Sequence, residues 1–125
     1  MAKKINSRQK GARGERELAK KLFDVFGISA RRGQQYCGIE GKDVVGIDKV
    51  HVECKRVEKL NLEKAMQQAI QDASPDDVPA VFHRKSRQPW LVTVRIEQLL
   101  ELADNIRAAT ENVKQVECIG QMKLF

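Results

Sequence analysis

Two acids and a lysine stand where they could work on a phosphate. Asp43 lies ten positions before the triplet Glu53-Cys54-Lys55, which closes the run Val50-His51-Val52-Glu53-Cys54-Lys55. If that run is an extended strand, Val50, Val52 and Cys54 point one way, and His51, Glu53 and Lys55 point the other. A carboxylate and an ammonium then share one face. Two nearby acids can hold a hard cation, and a lysine beside them can act on a phosphate and a water. The chemistry suggested is metal-dependent phosphodiester hydrolysis.

The plainer reading of Glu53 and Lys55 is an exposed strand face with an ion pair of little energetic weight. The geometry of Asp43 decides between the two. With an odd hairpin loop over residues 47–49, or a bulge, Asp43 comes to lie opposite Glu53 on the same face. A strict two-residue turn at Asp48-Lys49 would pair it with Cys54 and send it to the other side. Asp48 is a competing acid, but its place at the hairpin tip makes it the poorer ligand.

The elements that would position these groups can be read from periodicity. Residues 1–10 are polar and basic and are expected to be poorly ordered. A helix is predicted over 11–26, with an apolar stripe of Leu18, Leu22 and Phe26 and a stop at Gly27. Glu15 falls in the middle of that stripe and Glu17 on the opposite, solvent side. An acid in line with a buried stripe is costly unless it is paired or binds a cation, although a charge near a helix N-terminus is also simply favourable. A short strand is expected over 28–32, then a loop punctuated by Gly33, Gly38, Gly41 and Gly46 that includes a short strand over 43–47. A β-branched strand over 50–57 follows.

A second helix is predicted over 61–73, with Leu62, Ala65, Met66, Ala69, Ile70 and Ala73 on one face. Gln67 and Gln68 both lie at the edge of its polar side, and periodicity does not choose between them. Strands over 79–83 and 90–94 flank a basic turn over 84–89. A third helix is marked by Ile96, Leu99, Leu100, Ala103 and Ile106. Residues 111–125 hold apolar side chains without a clear period. The domain reading is a basic N-terminus over 1–10, one globular domain over 11–110 and a tail over 111–125. The order α-β-β-β-α-β-β-α predicts an α/β fold, a central mixed sheet flanked by helices.

At 125 residues the chain is the size of one domain, and its 42% hydrophobic content is ordinary for a globular protein. The formal net charge of +6 points weakly to a polyanionic partner such as nucleic acid. Cys37, Cys54 and Cys118 are odd in number and contain no CxxC pair, which argues against a zinc site and for a reducing, cytoplasmic setting. No leader-type apolar region and no membrane-length stretch is present in the sequence.

Taken in order, these residues resemble the PD-(D/E)xK nuclease superfamily, with its restriction-endonuclease-like fold. The run Lys10-Gly11-Ala12-Arg13-Gly14-Glu15-Arg16-Glu17-Leu18 is similar to the opening helix of the archaeal and phage Holliday-junction resolvases. The similarity continues through Arg31-Arg32, Asp43, Glu53-Cys54-Lys55 and Gln68-Ala69 to Trp90-Leu91-Val92-Thr93, about residues 8–95. The residue before the first acid is Lys42, where that group often has proline or glycine.

The resemblance implies an endonuclease that cuts DNA phosphodiester bonds with Mg²⁺, replaceable by Mn²⁺, resolving branched DNA such as Holliday junctions in recombination or repair as a homodimer. It implies Asp43, Glu53 and the Cys54 carbonyl as metal ligands, with Glu15 touching the metal directly or through water. Lys55 would orient or deprotonate the attacking water, and Gln68 would support the site. Arg31, Arg32, Arg84, Lys85 and Arg87 would carry the DNA, with Lys10 and Arg13 as further candidates. His51 is a neighbour on the same face. The other readings are a less structure-selective repair or restriction-type nuclease, and an inactive DNA-binding protein on the same fold.

Overall fold

The computed structural model describes residues 7–33 and 42–122, with side chains over 11–33 and 42–111. The expectations for residues 1–6, for Cys37 and for the glycines Gly38 and Gly41 lie outside the described residues. So do the side chains of Lys10 and Cys118.

The elements follow in the expected order: α1 (Ser7–Phe26), β1 (Arg31–Arg32), β2 (Val44–Val45), β3 (Val50–Arg56), α2 (Leu62–Asp72), β4 (Val78–Arg84), β5 (Leu91–Val94), a 3₁₀ turn (Ile96–Gln98) and α3 (Leu99–Met122). The five strands form one sheet in the order β1-β2-β3-β4-β5. β1, β2 and β3 pair antiparallel, β3 and β4 pair parallel through the α2 crossover, and β5 returns antiparallel on β4. This is an α/β domain with a mixed sheet, in keeping with the restriction-endonuclease-like fold.

Helices cover both faces. Leu18, Ala19 and Leu22 of α1 and Leu102 of α3 join Val44, Val50, Val52, Val78, Ala80 and Phe82 in the main core. On the other face Ala65 and Ala69 of α2 close over Val81. β3 is therefore central and covered on both sides, so His51 and Glu53 are buried as well as Val50 and Val52. The helix α2 begins at the cap Asn61, whose side chain accepts from Lys64 N at 3.1 Å.

Gly14 lets α1 lie close on β3. A Cβ there would come within 2.7 Å of Arg56 Cβ. Replacing Gly14 by valine should lower stability by about 1–3 kcal/mol through overpacking, read as a fall in the denaturant midpoint. An unchanged midpoint would mean that the helix can lift off the strand without cost.

Several boundaries and faces differ from the sequence-based expectation. α1 starts at Ser7 and stops at Gly27, whose N–H donates to the Phe23 carbonyl at 2.8 Å. Phe26, placed in the apolar stripe, is 40% exposed because the helix ends past the edge of the core. Ile70 of α2 is also exposed. The face of α3 that packs is Leu102, Ile106 and Ala109, while Ile96, Leu99 and Leu100 are exposed. The 3₁₀ turn before α3 shifts the helical phase there. α3 runs on through the segment without readable period, to Met122.

Candidate active site

The hairpin between β2 and β3 turns through residues 46–49, with Lys49 in the left-handed region at φ 61°. Its register pairs Val44 with Val52. One step further puts Asp43 across from Glu53, the odd register that a shared site requires. The ladder breaks at that point. Asp43 N–H donates to the Val52 carbonyl at 3.0 Å, and the Asp43 carboxylate accepts the Cys54 N–H at 2.8 Å. Asp43 is thereby fastened to the backbone between Glu53 and Lys55.

Burial pushes the Asp43 carboxyl up to about 7, the Cys54 N–H opposes the shift, and the nearby charges of Glu53 and Glu15 add to it while Lys55 counters them. Burial, followed by the surrounding carboxylates of Asp43, Glu15, Glu17 and Glu53, holds the Cys54 thiol well above the ordinary thiol range. Its sulfur stays protonated at neutral pH and is a poor metal ligand. The sulfur also lies on the α1 face of the sheet, in contact with the main core.

Glu53 is 4% exposed. Its Oε1 lies 3.6 Å from Lys55 Nζ and its Oε2 lies 3.4 Å from His51 Nε2. Lys55 Nζ also donates to Gln68 Oε1 at 3.3 Å. Of the two glutamines left open by periodicity, Gln68 is the one that reaches the lysine.

Glu15 is held by Arg32, Nε to Oε2 at 2.6 Å. Its negative charge reaches Asp43, but Glu15, Asp43 and Glu53 do not all converge within one coordination sphere. Among the described residues, the acid and histidine group whose ligand atoms lie within 4.8 Å of one another is His51, Glu53 and Asp72. Asp72 was missed in the sequence. A usable signal existed, because Asp72 is four residues after Gln68 and so shares its helical face.

Among the described residues, some basic side chains are ion-paired and others are simply exposed. Arg31, Lys85 and Arg87 are exposed. Arg84 is ion-paired to Glu17 and donates to the Gln88 carbonyl. Glu17 also meets Arg56 at 3.4 Å, so it is half-buried rather than on the solvent side, because α1 crosses the ends of β3 and β4. Glu58 accepts the Ser86 N–H at 3.0 Å and the Ser86 hydroxyl, which draws its carboxyl below the ordinary range. These contacts tie the basic turn to the segment just past β3, the strand that carries Glu53 and Lys55.

An α/β sheet with an acid just before the second strand, and Glu-x-Lys on the third, defines the PD-(D/E)xK class of nucleases. A model of the family described as "Phage putative PDDEXK endonuclease" matches residues 6–123. The chain belongs to that family and is a nuclease by class. No curated protein and no solved structure matches it. Nucleases of this class are generally divalent-metal dependent, and the donor set fits one: a buried carboxylate at Glu53, and an Asp43 carboxyl driven up first by burial and then by its acidic neighbours. No helix among the described residues is long and apolar enough to cross a membrane.

Proposed function

We propose that this nuclease is a Mg²⁺-dependent endodeoxyribonuclease that resolves four-way DNA junctions as a homodimer. The observation that carries the reading is the anchoring of Asp43 on the backbone of the Glu53–Lys55 segment, with Lys55 steadied by Gln68. The resolvase half rests on the likeness of residues 10–18 and of the motif order, and the DNA partner on the surplus of +6.

Asp43, Glu53 and the Cys54 carbonyl would hold the ion, with Glu15 approaching through water. Bound there, Mg²⁺ would polarise the phosphoryl oxygen and acidify the attacking water. Lys55 would orient or deprotonate that water and carry part of the negative charge of the pentavalent phosphate. Gln68 holds the ammonium in position for this. Arg31, Lys85 and Arg87 would take backbone phosphates directly. Arg32 and Arg84 would do so only while shared with Glu15 and Glu17.

A substrate panel tests the reading. A four-way junction, a linear duplex and a single strand are each incubated with Mg²⁺ or with EDTA. The expected result is symmetric cutting of the junction in Mg²⁺ alone, with the linear substrates spared. Equal cutting of all three would replace junction resolution with a less selective nuclease. No cutting in Mg²⁺ or Mn²⁺ would leave a DNA-binding protein on this fold.

A further inference from the structure

Glu53 has a second flank, away from Lys55. There its Oε2 faces His51 Nε2 at 3.4 Å, and one ligand atom each of His51, Glu53 and Asp72 lies within 4.8 Å of the others. The packing of α2 on β3 brings them together. His51 and Glu53 alternate along the strand, and Asp72 ends the helix that starts at Leu62.

Two of the three side chains are nearly sealed, His51 at 2% and Glu53 at 4% exposure. Their polar contacts are long. A good charge-assisted hydrogen bond is about 2.7–2.9 Å, whereas among the described residues Glu53 meets His51 at 3.4 Å and Lys55 at 3.6 Å. Asp72 makes no side-chain hydrogen bond or ion pair among the described residues. A buried carboxylate held by long contacts is costly, and a cation would engage all three groups at once. An imidazole nitrogen with carboxylates suits a transition ion such as Mn²⁺ or Co²⁺, while Mg²⁺ prefers oxygen alone.

We propose that His51, Glu53 and Asp72 form a second cation site, selective for a divalent transition ion over Mg²⁺, with Glu53 shared between it and the Asp43 side. The two oxygens of Glu53 are already divided, Oε2 toward His51 and Oε1 toward Lys55. Half-exposed Asp72 gives the ion its way in. The proposal rests on the nuclease reading only for the role of Glu53 toward Asp43. Its plain competitor is His51 hydrogen-bonded to Glu53 with no ion between them.

The test is titration of metal-free protein with Co²⁺, followed by its visible absorption, with Mg²⁺ as competitor. It is run on the wild type, Asp43→Asn, Asp72→Asn and His51→Gln. Asp72→Asn is nearly isosteric and half-exposed, and thermal melts verify its fold even if the buried His51→Gln variant fails to fold. Asp43→Asn is expected to keep one Co²⁺ that excess Mg²⁺ does not displace. Asp72→Asn is expected to bind that ion at least about tenfold more weakly. Wild-type affinity in Asp72→Asn, or no Mg²⁺-resistant Co²⁺ in Asp43→Asn, would overturn the proposal. These outcomes are read without DNA, so a failed cleavage assay leaves them unaffected.

Discussion

Asp43→Asn, Glu53→Gln and Lys55→Ala should each lower DNA cleavage by at least about 10²–10³-fold, with DNA binding changed little. The separation follows from where the groups sit. Asp43 is fixed by the Cys54 N–H at 2.8 Å, and asparagine keeps an oxygen for that bond. Glu53 is buried with only long contacts, so glutamine removes a charge without breaking a short hydrogen bond. Among the described residues, the polar partners of Lys55 are Glu53 and Gln68. None of the three belongs to the exposed basic surface. Single-turnover cleavage beside gel-shift titration checks this. Loss of binding in all three variants would show that they hold the fold or contact DNA instead.

The second large effect is on pH. The Asp43 carboxyl, raised from 3.8 to about 7 by burial first and by neighbouring acids after, is half protonated near neutrality in the metal-free protein. A cation must displace that proton, so affinity should rise about tenfold from pH 6 to pH 8 in the wild type. Asp43→Asn should lose most of this slope.

The stability sign is the opposite. A raised acid favours the folded state most below the unfolded pKa, and that stabilisation is lost as pH climbs through about 7. Asp43→Asn should therefore match the wild type near pH 4 and melt several degrees higher at pH 8, for a gain on the order of 2 kcal/mol after partial solvent screening. Added Mg²⁺ should narrow the gap by stabilising only the wild type. Equal melting temperatures of the two proteins across pH 4–8 would show that Asp43 titrates normally.

Much of this arrangement was legible in the sequence because it rests on local chemistry. The β-branched run became β3, Gly27 ended α1, and the order of elements was as read. From sequence the β2–β3 hairpin is open between an odd loop and a two-residue turn, and the register takes the odd form that brings Asp43 across from Glu53.

What escaped depends on packing between distant elements. Glu17 was placed toward solvent by a helical wheel, yet α1 crosses the strand ends and gives it Arg56 and Arg84. Those ion pairs in turn occupy Arg84, which composition alone would assign to DNA. The α3 stripe was misread because a 3₁₀ turn alters the phase after Ile96. Asp72 shares the helical face of Gln68, but only the packing of α2 on β3 brings it to His51 and Glu53.

Crystals soaked in Mn²⁺ and measured at its anomalous edge address the site most directly. A peak coordinated by both Asp43 and Glu53, absent in Asp43→Asn, is the expected result. Manganese elsewhere in the crystal, with none joining these two carboxylates, would contradict the assignment of Asp43 and Glu53 as the ligands of the cleavage ion.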